Sequence, residues 1–245
     1  MNWLGFSIWA KTCQRNKGSG ILNTHKGKLI VIEGLDGSGK ATQSELLYQS
    51  LLEVGDPVRK ISFPDYGQPS STLVKMYLSG EIGSLEEVNA YAASSFYAVD
   101  RYVSYQTQWK DDYLGGKLII ADRYTTSNAA HQMVKLPKEQ WDGFLSWLEE
   151  YEYNLLGIPW PDGVIYLDME PETSRRLIEG RYQGDESKKD IHEANFQYLL
   201  RCREAALYAA QRLGWRTVRC CDGISPLPIE KIAESVRRMS VEILK

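Results

Sequence analysis

The chain has 245 residues, 43% of them hydrophobic, enough to bury a core in one domain of upper-middle size. Its 29 basic and 32 acidic residues leave a net charge of −3, which excludes the basic footprint of a nucleic-acid binder. No apolar run is long enough to span a bilayer, and Cys13, Cys202, Cys220 and Cys221 lack metal-ligand spacing and read as reduced structural thiols.

The amino-terminal stretch stands apart. The first acidic residue is Glu33, while Lys11, Arg15, Lys17, Lys26 and Lys28 precede it. Residues 1–27 read as a leader or disordered extension that the domain does not need, with Lys17-Gly18-Ser19-Gly20 as a linker. A basic, acid-free leader carrying Trp3, Phe6 and Trp9 also has the composition of an organelle transit peptide, an alternative to a plain cytoplasmic protein. Residues 28–245 are expected to form one domain.

Leu29-Ile30-Val31-Ile32 predicts a buried strand, and Gln43 to Val54 predicts a helix. Between them lie Gly34-Leu35-Asp36-Gly37-Ser38-Gly39-Lys40-Ala41-Thr42. Gly-x4-Gly-Lys in a strand-to-helix turn is a phosphate-binding loop. Its glycines let successive backbone N–H groups turn toward a phosphate, the helix start adds its dipole, and Lys40 adds a mobile charge. The residue after the lysine is usually Ser or Thr, whose hydroxyl ligates Mg²⁺; here it is Ala41. Thr42 points about 100° away and cannot simply take over that position. Mg²⁺ is then held by water and another carboxylate, or the chain binds nucleotide with weakened catalysis.

Four more apolar runs follow, at Val58–Ser62, Leu118–Ala121, Val164–Leu167 and Thr217–Cys220. Helices are predicted at 40–54, 70–79, 86–110, 138–155, 171–180, 191–213 and 227–243, with Gly214 ending the sixth. Strands alternating with helices predict an α/β fold: a five-stranded parallel sheet flanked by helices, the phosphate-loop strand central. Ligands in such sheets sit beyond the carboxyl ends of the strands. There lie Phe63-Pro64-Asp65-Tyr66, Asp122-Arg123-Tyr124 and Asp168. Asp122 is placed to hold Mg²⁺, directly or through water, and Arg123 to fork onto phosphate oxygens. Tyr97 and Arg101 share a helix face, a ring and a guanidinium able to stack on a base and bond its edge.

The phosphate loop, Phe63-Pro64, Tyr97 with Asp100-Arg101, Asp122-Arg123-Tyr124 with Ser127-Asn128, and Gly157-Ile158-Pro159-Trp160-Pro161-Asp162 before Tyr166-Leu167-Asp168 stand in one order. That ordered set resembles the thymidylate kinases, P-loop nucleoside-monophosphate kinases, over about residues 27–245. The resemblance implies transfer of the γ-phosphoryl of ATP to dTMP with Mg²⁺, and a homodimer. It also implies that Gly34 to Thr42 hold ATP and that Asp36 approaches the acceptor's sugar and phosphate. Tyr97, or its neighbour Phe96, would stack on thymine, with Arg101 and Asn128 reading its edge. Arg123 would clamp the acceptor phosphate, with Phe63, Pro64 and Ser127 lining the pocket. Ala41, Tyr66 after Phe63-Pro64, and His131 depart from the family pattern, and His131 reads as a polar residue at the pocket rim.

The charged segment of about 180–193 reads as a mobile lid with Gly180 and Gly184 as hinges. Relatives without an arginine inside the phosphate loop bring cations from the lid, and this loop has Gly37 there. Arg181, Lys188 and Lys189 are therefore the expected lid cations. No general base is assigned, because an acceptor phosphate oxygen is already nucleophilic. Two alternatives stay open: another P-loop nucleoside or nucleotide kinase, for which Asp65 is the only support, and a catalytically silent nucleotide binder, suggested by Ala41.

Overall fold

The computed structural model describes residues 26–182, 196–223 and 225–245. Five strands, β1 (Leu29–Gly34), β2 (Val58–Ser62), β3 (Leu118–Asp122), β4 (Gly163–Asp168) and β5 (Arg216–Arg219), form one sheet in the order β2-β3-β1-β4-β5. All four pairings are parallel. The strand before the phosphate loop is thus central, as its apolar sequence predicts.

The two-residue repeat of the strands divides the core. Leu29, Val31, Ile119, Ala121 and Tyr166 face one side of the sheet, while Ile30, Ile32, Ile120, Ile165 and Leu167 face the other. On the second side, α1 (Lys40–Glu53) contributes Leu47 and Leu51, and the last helix, Ile229–Leu244, contributes Ile232 and Val236. The first side carries the larger core, with Trp109, Tyr124, Phe144, Ala205 and Ala209 in it.

In chain order those helices are α2 (Thr72–Leu78), α3 (Ala90–Ser104), α4 (Lys110–Leu114), α5 (Thr126–His131), α6 (Trp141–Glu149), α7 (Pro171–Tyr182) and α8 (Phe196–Arg212), with α9 at Ile229–Leu244. Two predicted helices are built differently from a simple α-helix. The 86–110 prediction starts at Ala90, where the Asn89 side chain caps Ala92 N–H at 2.9 Å, and passes through a π-turn at Tyr105–Trp109 into α4. The 138–155 prediction comprises a 3-10 turn at Lys138–Gln140, α6 and a π-turn at Glu150–Leu155. The helix predicted from 191 is described from Phe196, and Gly214, at φ 68°, ends it. Helix α5 was not predicted: Thr125-Thr126-Ser127 offers weak helix propensity and the element is six residues long.

The segment expected as a lid lies outside the described residues from 183 to 195, which includes Lys188 and Lys189. Arg181 stands in the last turn of α7, its side chain outside the described set. The 1–27 extension is described only from residue 26. Among the described residues no helix is long and apolar enough to cross a membrane.

Candidate active site

The carboxyl ends of β1, β2 and β3 open into a cleft of about 410 Å³. It gathers Asp36, Gly37, Gly39, Lys40, Ala41 and Thr42 from the phosphate loop, and Phe63 and Pro64 from the end of β2. Helix α3 adds Tyr97 and Arg101, the end of β3 and the turn after it add Asp122 and Arg123, and α5 adds Ser127, Asn128 and His131. Gly34, Leu35 and Ser38 back the loop rather than line the cleft. Phe96 packs on Tyr77, its ring centroid 6.2 Å away, and leaves the cleft wall to Tyr97.

Local backbone explains the loop. Gly39 caps α1 at φ 87°, a left-handed conformation that costs a side-chain-bearing residue about 1 kcal/mol or more. Gly37 lies at φ 76°, and a Cβ there would meet the Ser174 carbonyl and hydroxyl oxygens, each at 2.7 Å. No side chain fits at position 37, so the loop carries no cation of its own there.

Lys40 is buried, donates from Nζ to the Leu35 carbonyl at 2.8 Å and lies 3.6 Å from Asp36 Oδ1. Burial, and then the neighbouring Arg123 charge, lower its pKa to about 8, against the pull of Asp36, Asp122 and Glu33. Arg123 follows β3 in a left-handed conformation, φ 67°, rare for a residue other than glycine. Its Nη2 donates to Asp36, and its Nη1 lies 3.6 Å from Glu33 and 3.3 Å from His131 Nε2. Burial would lower the pKa of Arg123, but Asp36, Glu33 and Asp122 reverse this and raise it, so the guanidinium stays charged.

Glu33 was not singled out from the sequence, although a carboxylate inside an apolar strand is a signal. It is fully buried, and its oxygens accept from Gly34 N–H at 2.9 Å, Thr126 Oγ1 at 2.7 Å and Ser127 Oγ at 2.8 Å. It thereby ties the phosphate loop to α5. Glu152 was also missed; its carboxylate takes Arg101 from two sides, Nε at 2.7 Å and Nη2 at 2.6 Å. The strand-two carboxylate has a local task. Asp65 Oδ2 accepts from Gln108 Nε2 at 2.7 Å, and Asp65 N–H donates to the buried Asp100 at 2.8 Å.

Asp122 is 8% exposed at the floor of the cleft, and among the described residues nothing donates to its carboxylate. No described group of three His, Cys, Asp or Glu side chains forms a metal cage. One open carboxylate facing a phosphate loop suits Mg²⁺, which is held by one or two carboxylates, water and substrate phosphates. The cleft thus joins a phosphate cradle, two fixed cations and a wall of one ring, one guanidinium and one amide.

Residues 32–220 match the family model described as thymidylate kinase. The chain is 33% identical to a thymidylate kinase of Mycobacterium tuberculosis over 183 residues, spanning 74% of this chain and 84% of that one. It is 32% identical to a thymidylate kinase of Caenorhabditis elegans over 158 residues, 61% of this chain and 66% of that one. The structure of the Candida albicans thymidylate kinase superposes with a TM-score of 0.65 at 25% identity, covering 87% of this chain and 91% of that one.

Proposed function

We infer what this cleft does from one premise: the chain belongs to the thymidylate kinase family. It transfers the γ-phosphoryl group of ATP to dTMP, releasing ADP and dTDP. The observation that carries the residue assignments is that one cleft is lined by Lys40 and Arg123 together with Tyr97, Arg101 and Asn128.

The phosphate loop cradles ATP through its backbone N–H groups, and Lys40 follows the transferring group as a point charge. Arg123, oriented by Asp36 and Glu33, forks onto the acceptor phosphate. Tyr97 stacks on the base, braced edge-on by Tyr77 at a centroid distance of 6.3 Å. Phe63 and Pro64 close the acceptor side, with the Phe63 ring tilted against Tyr124 at 6.0 Å. The acceptor oxygen needs no proton removed, so the residues contribute alignment, exclusion of water and charge neutralisation. Asp122 would hold Mg²⁺, with water standing in for the hydroxyl absent at position 41. An ion held there would supply positive charge to offset that of the phosphates. The crowding of Gly37 by Ser174 supports the remaining cations coming from the last turn of α7 and the segment after it, from Arg181, Lys188 and Lys189.

Residues 28–245 make up the kinase domain, and three buried free thiols, Cys202, Cys220 and Cys221, suit the reducing cytoplasm. On α6, Trp141 and Phe144 are buried in the core and leave no face to pair two copies. Tyr91 and Tyr102 stay 40% and 37% exposed and share a face of α3 with Val99, which supports a homodimer through that face. The assay that tests the function measures ADP release from MgATP with dTMP, dUMP, dCMP, AMP and thymidine offered separately. Turnover fastest with dTMP and absent with thymidine is expected; ATP binding without turnover on any acceptor would overturn it.

A further inference from the structure

Glu152 is fully buried in the π-turn Glu150–Leu155, and nothing in the reaction uses it directly. Besides holding Arg101, its Oε1 accepts from Asn128 Nδ2 at 3.1 Å. The same Nδ2 donates to the Ser94 carbonyl at 3.3 Å. An amide nitrogen carries two hydrogens, and both are taken by oxygens that can only accept. The opposite amide orientation would set Asn128 Oδ1 against a carboxylate and a carbonyl, with no hydrogen among the three. Asn128 therefore turns Oδ1 toward the cleft, and among the described residues nothing donates to it. Arg101, on the same wall, offers only N–H groups.

The wall thus pairs an acceptor with a donor in fixed order. A keto pyrimidine presents N3–H beside the O4 carbonyl, the complement of that order. An amino pyrimidine presents a bare N3 beside an N4 amino group, reversed at both positions. A mismatched buried donor and acceptor cost far more than a missing methyl group, because each is left unpaired out of water.

We propose that Glu152 is a positioning residue that sets the hydrogen-bond polarity of the base pocket, and so selects keto over amino pyrimidine monophosphates without touching the substrate. The inference rests on dTMP being the acceptor. A purely structural carboxylate, serving only as counter-charge to Arg101, would affect all acceptors alike, and this separates the two roles.

The probe pair is dTMP and 5-methyl-dCMP, which share the methyl group and differ only at the hydrogen-bonding edge. Glu152→Gln keeps the volume but places a donor beside Arg101 and Asn128, so the Asn128 amide is free to turn. The ratio of kcat/KM for dTMP over 5-methyl-dCMP is expected to fall by about tenfold or more, chiefly through KM for the nucleotide. KM for ATP should stay within about twofold. Equal losses on both nucleotides, leaving the ratio unchanged, would overturn the proposal. Should Glu152→Gln melt below the assay temperature, Asn128→Ala tests the same point by removing the acceptor. A narrowed ratio supports the assigned orientation, and an unchanged one overturns it. A wild type inactive on dTMP would overturn the function and this inference together; an active one with unmoved ratios overturns the inference alone.

Discussion

Lys40 lies 3.6 Å from Asp36 Oδ1 and donates to the Leu35 carbonyl at 2.8 Å, so the phosphate-loop lysine is held by its own loop before any nucleotide arrives. The contact keeps the ammonium near the site of transfer, and Arg123 donates to the same Asp36 oxygen.

That position makes the reaction pH-dependent. The Lys40 pKa is lowered to about 8, so the free enzyme holds its charge below that pH and loses it above. The profile of kcat/KM for ATP, which reports the free enzyme, should fall as pH rises through about 8. Bound phosphates favour the charged form, so kcat should hold to higher pH. Lys40→Met should remove the step and lower kcat/KM by about 10²-fold or more. A step at the same pH in both profiles would count against Lys40 as its origin.

Arg123 combines a rare backbone conformation with a forked contact. Arg123→Lys keeps charge but not the fork, and should raise KM for dTMP by about tenfold; Arg123→Ala should cost about 10²–10³-fold in kcat/KM. Both leave a side chain at φ 67°. Arg123→Gly relieves that conformation, so it should be more stable than Arg123→Ala by about 1 kcal/mol, read from denaturant midpoints at matched slopes. A glycine variant that unfolds earlier than the alanine variant would refute the strain.

The metal prediction turns on Ala41 and Asp122. If Asp122 anchors Mg²⁺, Asp122→Asn should raise the Mg²⁺ concentration for half-maximal rate by about tenfold or more, and chelation should abolish turnover. Ala41→Ser restores a hydroxyl and should lower that concentration by a few fold with little change in kcat. A large rise in kcat would instead mean that position 41 limits catalysis.

The middle of the sheet was legible because β1, β3 and β4 are short apolar runs buried on both faces, a pattern few other elements share. The phosphate loop was legible because its glycines and lysine act through local backbone. Glu152 left no such trace. It sits among Glu149, Glu150 and Tyr151, where an α-helical reading suggests a solvated acidic face, and the π-turn shifts the phase that brings it inward. Its ligands, Arg101 and Asn128, are 51 and 24 residues away in sequence. Helix α5 was hidden for a related reason. Its support comes from Glu33 of the central strand accepting from Thr126 and Ser127, not from its own propensity.

Lys135 offers a test of how the base wall is held. Its ammonium donates to the Tyr77 hydroxyl at 2.7 Å and the Val88 carbonyl at 2.8 Å, and Tyr77 in turn braces Tyr97. Lys135→Met should loosen that brace, raising KM for dTMP by about three- to tenfold with KM for ATP unchanged. Equal changes in both constants would point to a general loss of packing.

Asp65 separates phosphate acceptors from hydroxyl acceptors. A kinase acting on a nucleoside hydroxyl needs a carboxylate near the end of strand two to take the proton, and Asp65 is the carboxylate in that place. Here its Oδ2 is occupied by Gln108 and its N–H by Asp100, so it fastens the β2–α2 connection to α3 and the following turn. The dTMP phosphate brings its own negative oxygen and leaves no proton to remove. Asp65→Asn preserves an acceptor for Gln108 and should change kcat on dTMP by less than about threefold, against the about 10²–10⁴-fold loss expected of a general base. A loss in that larger range, paired with wild-type turnover of thymidine, would move the chemistry to a hydroxyl and require Asp65 to be reassigned as its base.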